Sequence, residues 1–283
     1  MITLKDYIPE WTSDLKEIYE ERESKNMLLL ALEDVLGWSG ASFLTDSNKL
    51  LSEEDVAKLE DLVLELQTGN PYQYCVGFTY FCDLKIDVSP AVLIPRPETE
   101  ELVEWVKEAL PADFSGRIED WCTGSGCIAL ALKQHFPKAS VYGIDISIDA
   151  IHRAKSNGEK LNLDVHFEIH SALSDEDVYT EPLDVLVSNP PYIPVDEREK
   201  MNRNVRDFEP EVALFVPSDE ALLFYDALGS QAQRRLKPGG LLFFELHEDY
   251  AHETKEAMIA LGFKNVQVRR DLQNKPRMLM ATK

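Results

Sequence analysis

Asp120-Trp121-Cys122-Thr123-Gly124-Ser125-Gly126-Cys127-Ile128-Ala129 reads as the tip of a buried strand, a loop of small residues and the first turn of a helix. Gly124 and Gly126 let a ligand approach the backbone closely. Asp145, at the end of the next apolar run, can accept hydrogen bonds from both hydroxyls of a ribose. From Arg117 onward short apolar runs alternate with helical stretches, the signature of a mostly parallel sheet covered on both faces. Strands are expected at 117–121, 140–145, 165–170, 183–188, 240–246, 264–270 and 277–282, with helices at 127–136, 149–161, 219–236 and 250–261. Lys237-Pro238-Gly239-Gly240 reads as a helix stop followed by a turn. Only Asp271-Leu272-Gln273-Asn274-Lys275-Pro276 separates the last two strands, too short for a parallel crossover, so they should pair antiparallel. In such a sheet ligands bind beyond the carboxyl ends of the central strands.

Gly124-x-Gly126-x-x-Ala129 also satisfies the dinucleotide fingerprint, with an acid about twenty residues on, so alone it indicates an adenosine cofactor in general. Asp120 argues against a nicotinamide dinucleotide, because a carboxylate at the first strand tip repels a pyrophosphate and pairs with the ammonium of a methionine-like group. The seven-strand pattern with its terminal hairpin departs from the six-strand dinucleotide sheet as well. No Gly-Lys-Ser/Thr follows the loop, which excludes a Walker A phosphate site.

The second informative stretch is Val187-Ser188-Asn189-Pro190-Pro191-Tyr192-Ile193-Pro194, after the apolar run Leu183, Val185, Leu186. Asn189 should sit where a buried strand ends. Two prolines stiffen the turn beyond it and offer no N–H, so the loop presents carbonyl acceptors, to which the Asn189 side chain adds another. Acceptors so placed can take both protons of a substrate NH2 and turn its lone pair toward an electrophile, with Tyr192 offering a face to a planar group. As bare residues Asn-Pro-Pro is also an ordinary turn.

Composition narrows the partners. The 283 residues carry Lys+Arg 29 against Asp+Glu 51, a net charge of −22, which opposes sequence-tolerant gripping of a phosphate backbone. No basic start followed by an apolar run and no long apolar span is visible, so a soluble, cytoplasmic chain is expected. Cys75, Cys82, Cys122 and Cys127 lack zinc-knuckle or redox spacing and should be reduced, mostly buried thiols. Residues 1–70 read as a helical bundle: Leu15, Ile18 and Tyr19 recur at helical spacing, Met27 to Leu36 is an apolar helix ended by Gly37, and Ser52-Glu53-Glu54-Asp55 is a capped helix start. Gly69-Asn70-Pro71 marks a boundary, residues 71–95 read as a β-hairpin linker, and 96–283 form the sheet domain. Pro97 and the acids Glu98, Glu100 and Glu101 suit a helix N-terminus.

Asp120-x-x-x-Gly124-x-Gly126, Asp145 and Asn189-Pro190-Pro191-Tyr192, in this order, resemble an S-adenosylmethionine-dependent methyltransferase acting on a planar NH2 nitrogen. Pro71-Tyr72-Gln73-Tyr74, Ile94-Pro95-Arg96-Pro97-Glu98-Thr99-Glu100, Phe208-Glu209-Pro210-Glu211-x-Ala213-Leu214 and Arg270-Asp271 narrow the resemblance to the peptide chain release factor N5-glutamine methyltransferase family, PrmC/HemK, from about residue 69 onward. The resemblance implies an α/β fold: a seven-stranded, mostly parallel Rossmann-like methyltransferase sheet with a C-terminal antiparallel hairpin, plus a small N-terminal helical bundle. It implies methyl transfer from S-adenosylmethionine, leaving S-adenosylhomocysteine, to the side-chain amide N5 of the glutamine in the Gly-Gly-Gln loop of class one release factors, with no metal. By position Asp120, Cys122, Thr123, Gly124, Ser125, Gly126, Asp145, Leu173 and Asn189 would hold the cofactor. Asn189, Pro190, Pro191 and Tyr192 would hold the glutamine amide, with Asn189, Pro190 and Tyr192 catalytic. Two positions depart from the family pattern: Cys122 stands where glycine is usual, and His170-Ser171-Ala172-Leu173 lacks acidic and aromatic residues, which leaves adenine to aliphatic contact with Leu173. A glutamine methyltransferase acting on a ribosomal protein, an adenine-N6 or cytosine-N4 nucleic-acid methyltransferase, and a catalytically silent cofactor-binding module stay open. Base flipping asks for a basic surface, the opposite of this charge balance.

Overall fold

The computed structural model describes residues 2–38, 48–174 and 181–283. They form two compact units, Met1–Gly77 with Asn202–Phe208, and Phe78–Met201 with Glu209–Lys283.

In the first unit a short antiparallel pair, β1 (Ile2–Thr3) and β2 (Leu50–Leu51), accompanies helices α1 (Leu4–Leu15), α2 (Glu21–Asp34), α3 (Glu53–Leu66) and α4 (Tyr72–Val76). Leu4, Trp11, Leu15, Leu28, Leu59 and Leu66 are fully buried together. Ser52 and Asp55 close a reciprocal capping box at α3, with Asp55 N–H donating to Ser52 Oγ at 3.0 Å and Ser52 N–H donating to Asp55 Oδ2 at 2.9 Å. Helix α2 starts six residues before the expected Met27, because its first turns are polar and carry no apolar period. Residues 72–76 are helical, not extended: Pro71 sets φ for the start, and Gly77 ends the turn in the left-handed region at φ +83.

The second unit opens with the hairpin β3 (Phe78–Phe81) and β4 (Leu84–Asp87). Cys82 and Asp83 both have positive φ, +47 and +63, which suits a two-residue turn that follows strand twist. Helix α5 (Pro97–Ala109) has proline at its start and acids in its first turn. Strands β5 (Arg117–Trp121), β6 (Ser140–Asp145), β7 (His166–Ile169) and β8 (Leu183–Ser188) are linked by α6 (Cys127–His135) and α7 (Ile148–Leu161). After a two-residue strand β9 (Ile193–Pro194) come α8 (Arg203–Phe208), α9 (Glu211–Leu214), β10 (Phe215–Val216), α10 (Leu223–Arg235), β11 (Leu236–Glu245), α11 (Ala251–Ala260), β12 (Lys264–Arg270) and β13 (Pro276–Thr282). The short α8 belongs to the first unit.

Seven strands make one sheet in the order β12-β13-β11-β8-β5-β6-β7. Pairs β11·β8, β8·β5, β5·β6 and β6·β7 are parallel, while β13 runs antiparallel to β11 and β12. This is the expected α/β architecture with its terminal antiparallel pair. Strand β11 starts at Leu236, earlier than expected, and Lys237-Pro238-Gly239-Gly240 is a register shift inside it against β8. A Pro-Gly pair there interrupts the ladder without ending the strand. Trp121, Leu186, Phe244 and Leu279 are buried in the core that supports the carboxyl edge of the central strands.

Candidate active site

Trp121 of β5 pairs with Ile144 of β6 and Ser188 of β8. Cys122, Asp145 and Asn189 therefore leave the carboxyl edge of three adjacent strands side by side. All three line one cavity with Gly124, Leu173 and Pro191, closed by the apolar residues Val92, Leu93, Ile146, Val212 and Phe224. Ile146 and Leu173 remain 56% and 42% exposed, an apolar surface that nothing in this unit covers.

The loop between β5 and α6 holds its shape through main-chain bonds: Thr123 N–H donates to Ile144 O at 3.0 Å and Gly126 N–H to Thr123 O at 2.8 Å. Its two glycines serve different ends. Gly124 has φ +54 and nothing within 4 Å of where a Cβ would stand, so it opens the loop toward the cavity. A Cβ on Gly126 would meet Phe167 at 3.0 Å and Ala154 at 3.1 Å, so this glycine permits close helix-to-sheet packing. Thr123 and Ser125 are buried and do not line the cavity. The Asn157 amide of α7 steadies the loop from behind, donating to Ser125 O at 2.9 Å and to Asp87 O at 3.1 Å.

Asp120 does not line the cavity. Its Oδ2 accepts from the Thr123 hydroxyl at 2.5 Å and from Ala129 N–H at 3.2 Å, which ties the strand tip to both sides of the loop. Its Oδ1 is buried without a partner. Burial pushes the carboxyl up to about 7, against those two bonds. Asp145 does face the cavity. It accepts from Gly124 N–H through Oδ2 and from Ser147 N–H through Oδ1, each at 2.9 Å, with its pKa raised by burial. Cys122 takes φ +60, the left-handed conformation that explains why glycine suits the position, and burial pushes its thiol well up. Of the four cysteines only Cys127 is buried; Cys75, Cys82 and Cys122 are partly so.

Asn189 lines the cavity from the end of β8. Its Nδ2 donates to Thr99 Oγ1 at 3.1 Å, the Thr99 hydroxyl donates to Glu245 Oε2 at 2.6 Å, and the Tyr192 hydroxyl donates to Glu245 Oε1 at 3.0 Å. Asn189 Oδ1 takes no hydrogen bond among the described residues. Pro190 and Tyr192 lie off the cavity wall. Burial, then the adjacent Glu245, holds the Tyr192 hydroxyl well above its ordinary range, so it stays protonated. Sequence reasoning missed Thr99, Glu245 and Ile146. The available signals were an acid closing the apolar strand run Leu241-Leu242-Phe243-Phe244, and an isoleucine directly after the strand-end Asp145.

Two further motifs meet nearby. Arg96 pairs with Glu209 at 2.5 Å, and Glu209 also accepts from Ile94 N–H at 3.2 Å. The loop after β12 touches the start of α5, where Leu272 N–H donates to Glu101 at 3.2 Å. Among the described residues Glu197, His247 and Asp249 bring possible metal-ligating atoms within 4.8 Å of one another. The imidazole is already engaged, accepting from Asp249 N–H at Nδ1 and lying 3.5 Å from Glu197 at Nε2.

The cavity fits S-adenosylmethionine. Asp145 can take ribose hydroxyls, Ile146 and Leu173 present an apolar surface for a purine, and the space beside Gly124 admits a chain against the backbone.

A family model described as the methyltransferase small domain matches residues 81–205, and one described as the PrmC N-terminal domain matches residues 6–77. A release factor glutamine methyltransferase of Bacteroides thetaiotaomicron is 36% identical over 269 residues, spanning 95% of this chain and 96% of its own. One from Flavobacterium psychrophilum is 35% identical over 279 residues, spanning 98% of each. Among solved structures, a methyltransferase from Pyrococcus furiosus superimposes with TM-score 0.52 at 20% identity, covering 71% of this chain and 89% of that one. A Thermus thermophilus 16S rRNA N2 G1207 methyltransferase, in complex with AdoMet and guanosine, does so with TM-score 0.51 at 20% identity, covering 73% and 49%. The structural likenesses speak to the fold alone. No described helix is long and apolar enough to cross a membrane.

Proposed function

The chain belongs to the release factor glutamine methyltransferase family, and from that premise we propose that it transfers a methyl group from S-adenosylmethionine to the side-chain amide N5 of the glutamine in the Gly-Gly-Gln loop of class one release factors. The observation that carries this reading is the shared cavity of Gly124, Asp145 and Asn189: a ribose acceptor and an amide acceptor open onto one space. A release-factor substrate implies a cytoplasmic enzyme.

Bound in this cavity, S-adenosylmethionine supplies a methyl group on a positively charged sulfur that departs with the C–S electron pair. Asp145 would anchor the ribose, Gly124 would let the methionine portion lie against the loop, and Leu173 with Ile146 would hold the adenine. Asn189 Oδ1 and a main-chain carbonyl of the turn that ends at Pro191 would accept the two protons of the glutamine NH2. An amide nitrogen is a poor nucleophile because its lone pair is delocalised into the carbonyl. Acceptors on both N–H bonds return density to nitrogen and fix the direction of its lone pair. Nitrogen gains the methyl, and one of its protons then leaves to solvent. The apolar walls of Val92, Leu93 and Phe224 keep water away from the reacting atoms. Tyr192, its hydroxyl tied back to Glu245, would keep its ring beside the amide loop.

The test is transfer of labelled methyl to release factor, to ribosomal protein and to DNA, with the wild type and Asn189→Ala. Release factor alone should take label, and Asn189→Ala should abolish turnover while S-adenosylmethionine binding stays measurable by calorimetry. Full activity in that variant rejects the mechanism, and label on ribosomal protein or DNA rejects the substrate.

A further inference from the structure

Glu245 ends β11 beside the end of β8, since Phe244 pairs with Ser188, the residue before Asn189. It is 1% exposed, and Thr99, in the first turn of α5, is 2% exposed. Burying a carboxylate is unfavourable unless its oxygens are hydrogen-bonded. Here one oxygen receives the Thr99 hydroxyl at 2.6 Å and the other the Tyr192 hydroxyl at 3.0 Å. One acid thus binds hydroxyls that lead to both ends of Asn189-Pro190-Pro191-Tyr192.

The direction of these bonds matters. Burial raises the pKa of Glu245, and the hydroxyls of Thr99 and Tyr192 pull it down; in its ionised form the acid takes the one hydroxyl proton of Thr99, at 2.6 Å. The Thr99 oxygen then has only lone pairs to offer, so the group of Asn189 facing it must be the NH2, and the contact of 3.1 Å is N–H to oxygen. That leaves Asn189 Oδ1 as the free atom of a side chain on the cavity wall. A flipped amide would set oxygen against oxygen at Thr99 and turn an NH2 toward a substrate that also presents an NH2. Thr99 could bond the flipped amide only by giving up the carboxylate.

We propose that Glu245 and Thr99 are positioning residues for methyl transfer: the carboxylate fixes the proton of Thr99, Thr99 fixes the flip of Asn189, and the enzyme thereby presents an acceptor and not a donor to the glutamine amide. This rests on the role given to Asn189 above. Neither residue touches substrate. Their effect falls on the orientation of the amide, hence on kcat, more than on capture of either substrate.

Steady-state kinetics with the full-length enzyme and release factor test this, with S-adenosylmethionine affinity measured by calorimetry and folding by thermal melting. Thr99→Val keeps the shape and removes the acceptor; kcat should fall about tenfold or more with KM for release factor and cofactor affinity near wild type. Thr99→Ser restores the hydroxyl and should return kcat to within about twofold of wild type. Glu245→Gln is nearly isosteric. Its NH2 can serve only as a donor, so one hydroxyl must turn its proton away and the relay to Asn189 or Tyr192 reverses; kcat should again fall about tenfold or more, with a melting temperature equal to or above wild type.

Thr99→Val and Glu245→Gln both within about twofold of wild-type kcat, beside an inactive Asn189→Ala, overturn the relay and leave the proposed reaction standing. An active Asn189→Ala overturns both. If Thr99→Val does not fold, Thr99→Ala and Thr99→Ser decide: a Thr99→Ala with wild-type kcat, or a Thr99→Ser as impaired in kcat as the valine is expected to be, overturns the relay.

Discussion

Asp120→Asn isolates a charge buried under the glycine loop. Burial holds this carboxyl at about 7 against an ordinary 3.8; the bonds from Thr123 and Ala129 pull it down, and the neighbouring Asp145 adds slightly to the burial effect. Between those values the unfolded chain has released the proton while the folded chain retains it. The fold therefore loses about 1.4 kcal/mol per pH unit from this group, about 4 kcal/mol over the whole window. The contribution is fully present below pH 3.8 and gone once pH has risen through about 7. Asparagine has no proton to lose. Its carbonyl can stand where Oδ2 does, accepting from Thr123 and Ala129, and its NH2 where the unpartnered Oδ1 does. Urea unfolding of both proteins at pH 5, 6, 7 and 8 should show the variant gaining on wild type by about 1 kcal/mol per unit up to pH 7, then holding level. A stability difference flat to within about 0.5 kcal/mol across that range refutes a proton-holding Asp120.

Cys122→Gly relieves a left-handed side-chain residue on the cavity wall, a conformation costing about 1 kcal/mol for a residue with a Cβ, so S-adenosylmethionine should bind as tightly or more tightly. Clearly weaker binding by calorimetry rejects crowding at this position. Arg96→Ala strands the buried Glu209 carboxylate, which burial already raises in pKa against the pull of Arg96, and should destabilise the protein by about 3 kcal/mol. Adding Glu209→Gln should recover most of that loss in urea unfolding, and a single-variant loss below about 0.5 kcal/mol refutes the pairing.

The central sheet was legible because its strands are short runs of Val, Ile, Leu and Phe set between loops, and burial on both faces leaves few other readings for such runs. Asp145 and Asn189 could be placed for the same reason: Asp145 is the first polar residue after one of these runs, and Asn189 follows Val187-Ser188 at the end of another. The loops and turns were harder. Tyr72–Val76 has the aromatic content of a strand, and only Pro71 and Gly77 mark it as one helical turn. Lys237-Pro238-Gly239-Gly240 carries the local signal of a stop, yet β8 alongside lets the strand continue past it. Thr99 and Glu245 lie 146 positions apart, and no local pattern reveals that a hydroxyl on a helix start and an acid on a strand end will share one proton. The acids of Pro97-Glu98-Thr99-Glu100 explained themselves as helix-start charges, which hid the threonine among them.

The sheet order β12-β13-β11 also shapes how the chain is made. Strand β12 is synthesised before β13 but among the described residues pairs with no strand except β13, so Lys264–Arg270 must wait without a ladder until Pro276–Thr282 has been translated. During that interval the flank of Leu241–Glu245 that β13 will cover is open as well, an apolar template for stray pairing between nascent chains. A chain interrupted anywhere in its last strand would thus lose two ladders at once, and should be recognised by the cell as a misfolded product rather than persist as a weakened enzyme.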